Sequence, residues 1–281
     1  MQVALAANLA ASQPAVIPPS NISPPNVSLP SVTAEAAVLM VAGTRQVLFD
    51  KDANKIMYPA STTKMVTLLT ALRHGKLTDV VVVGPQAVDI EGSSLGLKLF
   101  DELTLQDLLY GMMLVSGNDA SYAVAEHVGG GSVAKFLGWM NEEAEKAGAM
   151  RTHFTNPHGL PDPINHFSTA YDLALIATSG LADQEFAKIV ATPVQTVQFI
   201  NRGQTKQLAN TNKLLFTYTG ASGVKTGETR AAGKCLVASA KRGNVQLIAV
   251  VLNAGDNRWQ EAAQLLDYGF RVMELKRKAA S

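Results

Sequence analysis

The stretch "GKCLVASAKRGNVQLIAVVLNAG", residues 233–255, holds two apolar runs separated by a short polar turn. Both runs are bounded by glycine and rich in small and β-branched residues, so they predict two adjacent strands joined through residues 241–244. Just ahead, "GVKTG" at 223–227 reads as a third strand. The other end of the chain answers in kind. "AAVLMVAGTRQVLFDKD", residues 36–52, is two apolar runs around a Gly-Thr turn, which reads as a β-hairpin. What lies between is helical in period. The stretch "YPASTTKMVTLLTAL" at 58–72 starts at Pro59 and Ser61 and stops at Gly75. "TLQDLLYGMMLV" has Thr104 and Asp107 as a capping pair. "DASYAVAEHV", "VAKFLGWMNEEAEKAG" and "TAYDLALIATSG" follow, and "RWQEAAQLLDYGFRVMELK" closes the chain as a helix. Strands at both ends with helices between predict an α/β protein of the α+β type, with one sheet built from the two termini beside a mostly helical lobe.

Composition sets the bounds. The chain has 281 residues, is 47% hydrophobic and carries a formal charge of +1. That balance gives no electrostatic case for nucleic acid or an anionic membrane. No apolar stretch reaches the roughly 18–20 residues that span a bilayer. The single cysteine, Cys235, excludes an internal disulfide and a cysteine-based metal cluster. No metal or cofactor is expected. Residues 1–33 read as a leader: an apolar, small-residue start that could be the tail of a secretory signal or an arbitrary start, then a Pro- and Ser-rich segment at 13–32 without period. Ordered structure is expected from Ala34, as one domain over residues 34–281. The end, "ELKRKAAS", reads as a solvated tail.

The helix at 58–72 poses a chemical question, because an apolar run carries one lysine three residues after a serine. Positions three apart share a helix face, so Ser61 and Lys64 touch. Met65, Val66, Leu68, Leu69 and Leu72 mark the helix as buried. Burial lowers a lysine pKa, and a neutral amine beside a hydroxyl suits a general base serving a serine nucleophile. The first helical turn adds free N–H groups for a developing oxyanion. Ser-x-x-Lys occurs three times in this chain. Ser132 opens a helix with a charged outer face and reads as an N-cap. Ser222 precedes a strand, where positions three apart face opposite sides. Two further stretches join the first copy. "LVSGNDAS" places Ser116 and Asn118 between two helices, where a loop can present side chains into a cleft. "GVKTGET" places Lys225, Thr226 and Gly227 on a strand, and a glycine there admits a ligand backbone. Each alone also fits an ordinary turn or edge strand. Together, in this order, they form a motif set.

With "STTK", "SGN" and "KTG", the chain resembles the serine penicillin-binding proteins and serine β-lactamases. "PASTTKMVT", "GSSLGLK", "LTLQDLLYGMMLVSGNDAS", "THFTNPHGL", "HFSTAYDLALIA" and "AGKCLVASAKR" narrow the resemblance to low-molecular-mass D-alanyl-D-alanine carboxypeptidases, from about Ala34 onward. The resemblance implies a β-lactamase/transpeptidase-like fold and a serine peptidase of the cell envelope, exported to its periplasmic or extracellular face. It implies a partner, the peptidoglycan stem peptide ending in D-Ala-D-Ala, and inhibition by β-lactams. Ser61 would attack the scissile carbonyl, Lys64 take its proton and Ser116 relay it. Asn118 would contact a substrate amide. Lys225 and Thr226 would hold the terminal carboxylate, helped by Arg258 ahead of the last helix. The backbone N–H groups of Ser61 and Glu228 would form the oxyanion hole. His158, in "NPHGL", would stand at the cleft edge, contacting substrate or bracing its loop.

Two positions depart from the family pattern. Glu228 stands where an aromatic residue or histidine is more usual, and a carboxylate beside an anionic substrate is unhelpful unless it turns to solvent or pairs with Arg230. Phe100 replaces a turn glycine. Larger relatives continue into a β-rich domain and a membrane anchor, whereas the tail here reads as that of a soluble enzyme. Four alternatives stay open. A class A β-lactamase needs a glutamate for deacylation, and no Glu-x-x-Leu-Asn follows "SGND". An endopeptidase on peptidoglycan cross-links uses the same residues. A penicillin-binding sensor module would acylate without turning over, and the presence of all the catalytic side chains named above argues against it. An α/β-hydrolase would use Ser94 in "GSSLG", but that motif needs a following helix, and "LKLFDELT" is not helical.

Overall fold

A computed structural model describes residues 27–279. The N-terminal hairpin, β1 (Ala36–Val41) and β2 (Val47–Lys51), leads through a 3₁₀ turn (Ala60–Thr63) into α1 (Lys64–His74). A small hairpin of β3 (Val80–Val82) and β4 (Glu102–Thr104) precedes α2 (Leu105–Leu114), α3 (Asn118–Val128), α4 (Val133–Ala147) and α5 (Ala170–Leu181). Then come α6 (Gln184–Ala191) and the hairpin β5 (Val194–Phe199) and β6 (Gln204–Ala209). The chain closes with β7 (Ala221–Thr229), β8 (Gly233–Arg242), β9 (Val245–Leu252) and α7 (Arg258–Ala279).

The main sheet has the order β2-β1-β9-β8-β7, antiparallel throughout. β1 docks on β9, with Ala36 opposite Leu252 and Val41 opposite Leu247, so the two chain ends share one sheet as expected. Strands β1, β8 and β9 read as largely apolar runs because both faces of the sheet are covered. Val38, Met40, Ile248 and Val250 face the helical lobe. Leu39, Leu247, Ala249 and Val251 pack with Leu265, Leu266 and Val272 of α7. Gly269 lets α7 sit close: a Cβ there would lie 2.7 Å from side-chain carbons of Leu39 and Leu247. In the second lobe α1 is buried from Lys64 to Ala71, and its polar side chains Lys64, Thr67 and Thr70 are buried with the apolar ones.

Several boundaries differ from the sequence expectation. Strands β8 and β9 run on to Arg242 and from Val245, leaving Gly243, at φ 58°, and Asn244 as the whole turn. The expected solvated tail is helical through Ala279, and its Lys276, Arg277 and Lys278 sit where the helix dipole favours cations. α6 and the β5–β6 hairpin carry little signal: α6 buries only Phe186, Ile189 and Val190, and β6 is exposed except at Leu208. At the N-terminal side, packing begins before the expected start at Ala34. Val27 and Val32 are buried against the α7 face. The rest of the expected leader, residues 1–26, lies outside the described residues.

Glu261 of α7 ties that segment down. Its buried carboxylate accepts from Thr33 N–H (2.6 Å), Thr33 Oγ1 (2.5 Å) and Ala34 N–H (3.1 Å). Hydrogen bonds to a charged acceptor contribute more than neutral ones, and a neutral amide would leave donors facing donors. Glu261→Gln is expected to destabilise the fold by about 1.5–3 kcal/mol, read from urea midpoints at unchanged m. A loss under about 0.5 kcal/mol, the scale of an ordinary surface change, would show that the clamp does not hold the segment.

Candidate active site

The site starts from a strained turn. Ala60 has φ 48°, a left-handed conformation that side chains rarely adopt, and Ser61 follows in the 3₁₀ turn. Ser61 therefore precedes the α-helix, where the sequence period had placed it inside, yet its three-residue spacing to Lys64 still brings the pair together. Two glycines press on this turn. A Cβ on Gly159 would lie 1.9 Å from Ala60 O, and one on Gly227 would lie 3.1 Å from Ala60 Cβ and Pro59 O. The glycine of "KTG" thus lets β7 close against the nucleophilic turn.

Lys64 is fully buried, and its Nζ has three neighbours: Ser61 Oγ at 3.0 Å, Asn118 Oδ1 at 2.7 Å and His158 O at 2.7 Å. The Asn118 amide is oriented by its other end, where Nδ2 donates to Glu91 O at 2.7 Å. Asn118 Oδ1 and His158 O can only accept, so two N–H bonds go to them. Of the three partners only Ser61 can donate. Burial, and secondarily the charge of Lys225, hold the Lys64 amine well below the ordinary lysine range. In the neutral amine the lone pair is left facing the Ser61 hydroxyl, ready to take its proton.

A second buried lysine lines the opposite wall. Lys225 Nζ donates to Ser116 Oγ and to Thr226 O, each at 3.0 Å. Ser116 sits just past α2 at φ 63°, a backbone twist that directs it into the cleft. Burial lowers the Lys225 pKa to about 7, with the Arg258 charge adding to the effect. Thr226 Oγ1 lies 2.9 Å from Thr211 Oγ1. Arg258 Nη1 donates to Gly227 O at 3.2 Å. Ser61, Lys64, Ser116, Asn118, Lys225, Thr226, Gly227 and Arg258 are thus linked through direct contacts or chain neighbours. Glu228 meets Arg258 at 3.4 Å, so its partner is not the Arg230 considered from sequence.

His158 contributes mainly through its backbone carbonyl. Its ring nitrogen Nδ1 accepts from Leu160 N–H at 3.2 Å, and burial lowers its pKa to about 3, so the ring is neutral and braces its loop. The competing serines have other duties. Ser132 caps α4 by accepting from Lys135 N–H, Ser94 donates to Asp119 Oδ2 at 2.6 Å with no helix after it, and Ser222 lies in β7 bonded to Ser239. Asp119 and His166 went unread in the sequence. Asp119 accepts from Leu95, Gly96 and Leu97 N–H and so fixes the wall opposite β7. His166 Nδ1 accepts from Thr155 N–H, which leaves the proton on Nε2 for Thr63 Oγ1 at 2.9 Å, directly behind Lys64. Only the adjacency of Asp119 to "SGN" could have marked the first; nothing local marks the second.

Comparison with known proteins gives these residues a family. A family profile described as D-alanyl-D-alanine carboxypeptidase matches residues 23–256. A D-alanyl-D-alanine carboxypeptidase of Bacillus subtilis is 38% identical over 248 residues, covering 86% of this chain and 63% of that protein. One of Mycobacterium tuberculosis is 37% identical over 233 residues, covering 81% of this chain and 79% of that protein. The chain thus spans less than two thirds of the Bacillus relative's length. The crystal structure of a Streptomyces DD-transpeptidase matches with a TM-score of 0.82 at 34% identity, over 87% of this chain and 100% of that one. A profile match over most of the chain, with relatives above one third identity and a shared fold, shows that this chain belongs to the D-alanyl-D-alanine carboxypeptidase family of serine peptidases.

Proposed function

We propose that this protein is a serine-type D-alanyl-D-alanine carboxypeptidase that removes the terminal D-Ala from peptidoglycan stem peptides through an acyl-enzyme on Ser61. The contact of Lys64 Nζ with Ser61 Oγ, its two other N–H bonds committed to obligate acceptors, carries this reading. Ser61 attacks the carbonyl of the last peptide bond as Lys64 takes its proton. The N–H groups of Ser61 and Glu228 hold the oxyanion, favoured by the closeness of β7 to the 3₁₀ turn. The proton taken by Lys64 is relayed through Ser116, which is hydrogen-bonded to Lys225, to the departing amine, so Lys64 is neutral again for the hydrolysis step. Lys225, Thr226 and Arg258 bind the terminal carboxylate. Asn118 keeps one N–H and one oxygen lone pair beyond its two protein bonds, enough to meet a substrate amide. Water then hydrolyses the ester. The complete set of side chains beyond the nucleophile favours turnover over a non-turnover sensor. The substrate places the enzyme on the outer side of the cytoplasmic membrane, in the periplasm or outside the cell. Among the described residues no helix is long and apolar enough to cross a membrane.

A β-lactam is expected to leave one covalent adduct, on Ser61, since its strained amide mimics the scissile bond. Intact-mass and peptide mass spectrometry check this; an adduct on Ser94 or Ser132, or one that persists in Ser61→Ala, refutes the assignment. Gly227→Ala is expected to slow that acylation about tenfold or more, because the added methyl shifts the nucleophilic turn by tenths of an ångström and small misplacements are costly. An unchanged acylation rate would show that the close approach is not needed.

Carboxylate binding requires a protonated Lys225, whose pKa is about 7. kcat/KM on a carboxylate-ended peptide should therefore fall as pH rises through that value. On the acid side it should fall as Lys64 gains the proton that makes it unable to act as a base. Lys225→Arg, which stays charged, should remove the alkaline limb. A limb that persists at the same pH would assign it to another group.

A further inference from the structure

Arg258 is an incompletely satisfied cation. Its Nη1 donates to Gly227 O at 3.2 Å, and its guanidinium lies 4.9 Å from the Trp259 ring centroid. Its Nε–H is buried with no acceptor among the described residues. A buried guanidinium N–H left without an acceptor is costly, so Arg258 is poised for an anion. Part of that anion comes from its own chain. Glu228 Oε2 stands 3.4 Å from Nη1, and the two side chains differ in exposure, 15% for Arg258 and 54% for Glu228. The partner that can move is therefore the carboxylate. It also has somewhere to go. A cavity of about 400 Å³ is lined by Glu228, Thr229, Arg230, Lys234, Asn253 and Asp256 among others. Within it Lys234 already pairs with Asp256, whereas exposed Arg230 makes no ion pair among the described residues.

We propose that Glu228 is the specificity-determining residue at the leaving-group end of the cleft. It is an internal carboxylate that holds Arg258 between turnovers and moves to the Arg230 side of the cavity when a substrate's terminal carboxylate takes its place. This rests on the reading of Arg258 as the anchor for that carboxylate. Every free-acid substrate must displace an anion already present. A peptide whose last carboxyl is masked as an amide or ester makes no such demand. The enzyme therefore discriminates less between free-acid and masked termini than the same cleft with a neutral residue at this position. The departing groups it tolerates extend to residues without a free α-carboxylate.

A matched pair of acyl donors tests the idea: one peptide ending in D-Ala-D-Ala as the free acid, and the same peptide as its C-terminal amide. The quantity read is the acid-to-amide ratio of kcat/KM in the wild type, Glu228→Gln, Arg258→Ala and the double variant. Partly exposed ion pairs are weak, so Glu228→Gln should raise the ratio about two- to fivefold. Arg258→Ala should lower it, and in that background Glu228→Gln should change nothing. Arg230→Ala should lower the ratio, because the displaced carboxylate loses its second partner. Glu228→His serves if Glu228→Gln fails to accumulate as folded protein. A ratio unmoved by Glu228→Gln overturns the proposal. So does an equal rise in the Arg258→Ala background, since Glu228 would then act by simple repulsion. In both cases the carboxypeptidase reading stands as long as Ser61 forms its β-lactam adduct and the free acid turns over. No turnover of either peptide and no adduct in the wild type would overturn both.

Discussion

A lysine amine with no path to solvent must find its partners inside the protein, and the cleft is built from the partners that Lys64 finds. They come from three separated stretches: the 3₁₀ turn with Ser61, the start of α3 with Asn118, and the loop carrying the His158 carbonyl. Burying an ammonium is unfavourable, so the Lys64 pKa is held well below the ordinary lysine range. The same burial that threatens stability thus favours the neutral amine that a base needs. Two acceptor-only partners then decide which way its lone pair points. Removing either carbonyl would leave an unsatisfied amine and a hydroxyl with no defined orientation, so the chemistry and the packing of α1 are one constraint.

The two lobes meet on the turn ahead of α1. From the sheet side, β7 presses Gly227 onto Pro59 and Ala60; from the loop side, Gly159 presses onto Ala60 O. Ala60 and Ser116 both take left-handed backbone conformations without being glycine, which costs of order 1–3 kcal/mol each. Such strain persists where the surroundings over-determine it. Here the surroundings are a packed helical lobe and the edge strand of a sheet sealed on both faces, so Ser61 and Ser116 are held by elements that cannot relax independently.

Electrostatics divides the cleft along its length. Beside Ser61, burial and then the charge of Lys225 hold Lys64 well below the ordinary lysine range, while burial and then the charge of Arg258 lower Lys225. Farther along the cleft Lys225 lies near Arg258, whose guanidinium meets the carboxylate of Glu228. Neutral His158 and His166 add no charge and instead fix loop and turn.

The sheet was legible in the sequence because both of its faces are buried, which makes β1, β8 and β9 continuous apolar runs, and because turns such as Gly243-Asn244 punctuate them. The Ser61–Lys64 contact was legible for a similar reason: a lone lysine in an apolar helix stands out, and a spacing of three fixes its neighbour. Motif order carried Ser116, Asn118 and Lys225. Weakly amphipathic pieces were not legible. α6 has three buried apolar residues, and β5 and β6 are mostly exposed, so burial leaves little period in them. Nor could sequence show that Thr33 and Ala34 are held by Glu261, more than two hundred residues away. Local pattern determines which segments become helix or strand and which side chains are chemically unusual. Which of those side chains touch is decided by long-range closure. The Glu228 partner, the orientation of the Asn118 amide and the duty of the His158 ring each depend on a contact that no local period encodes.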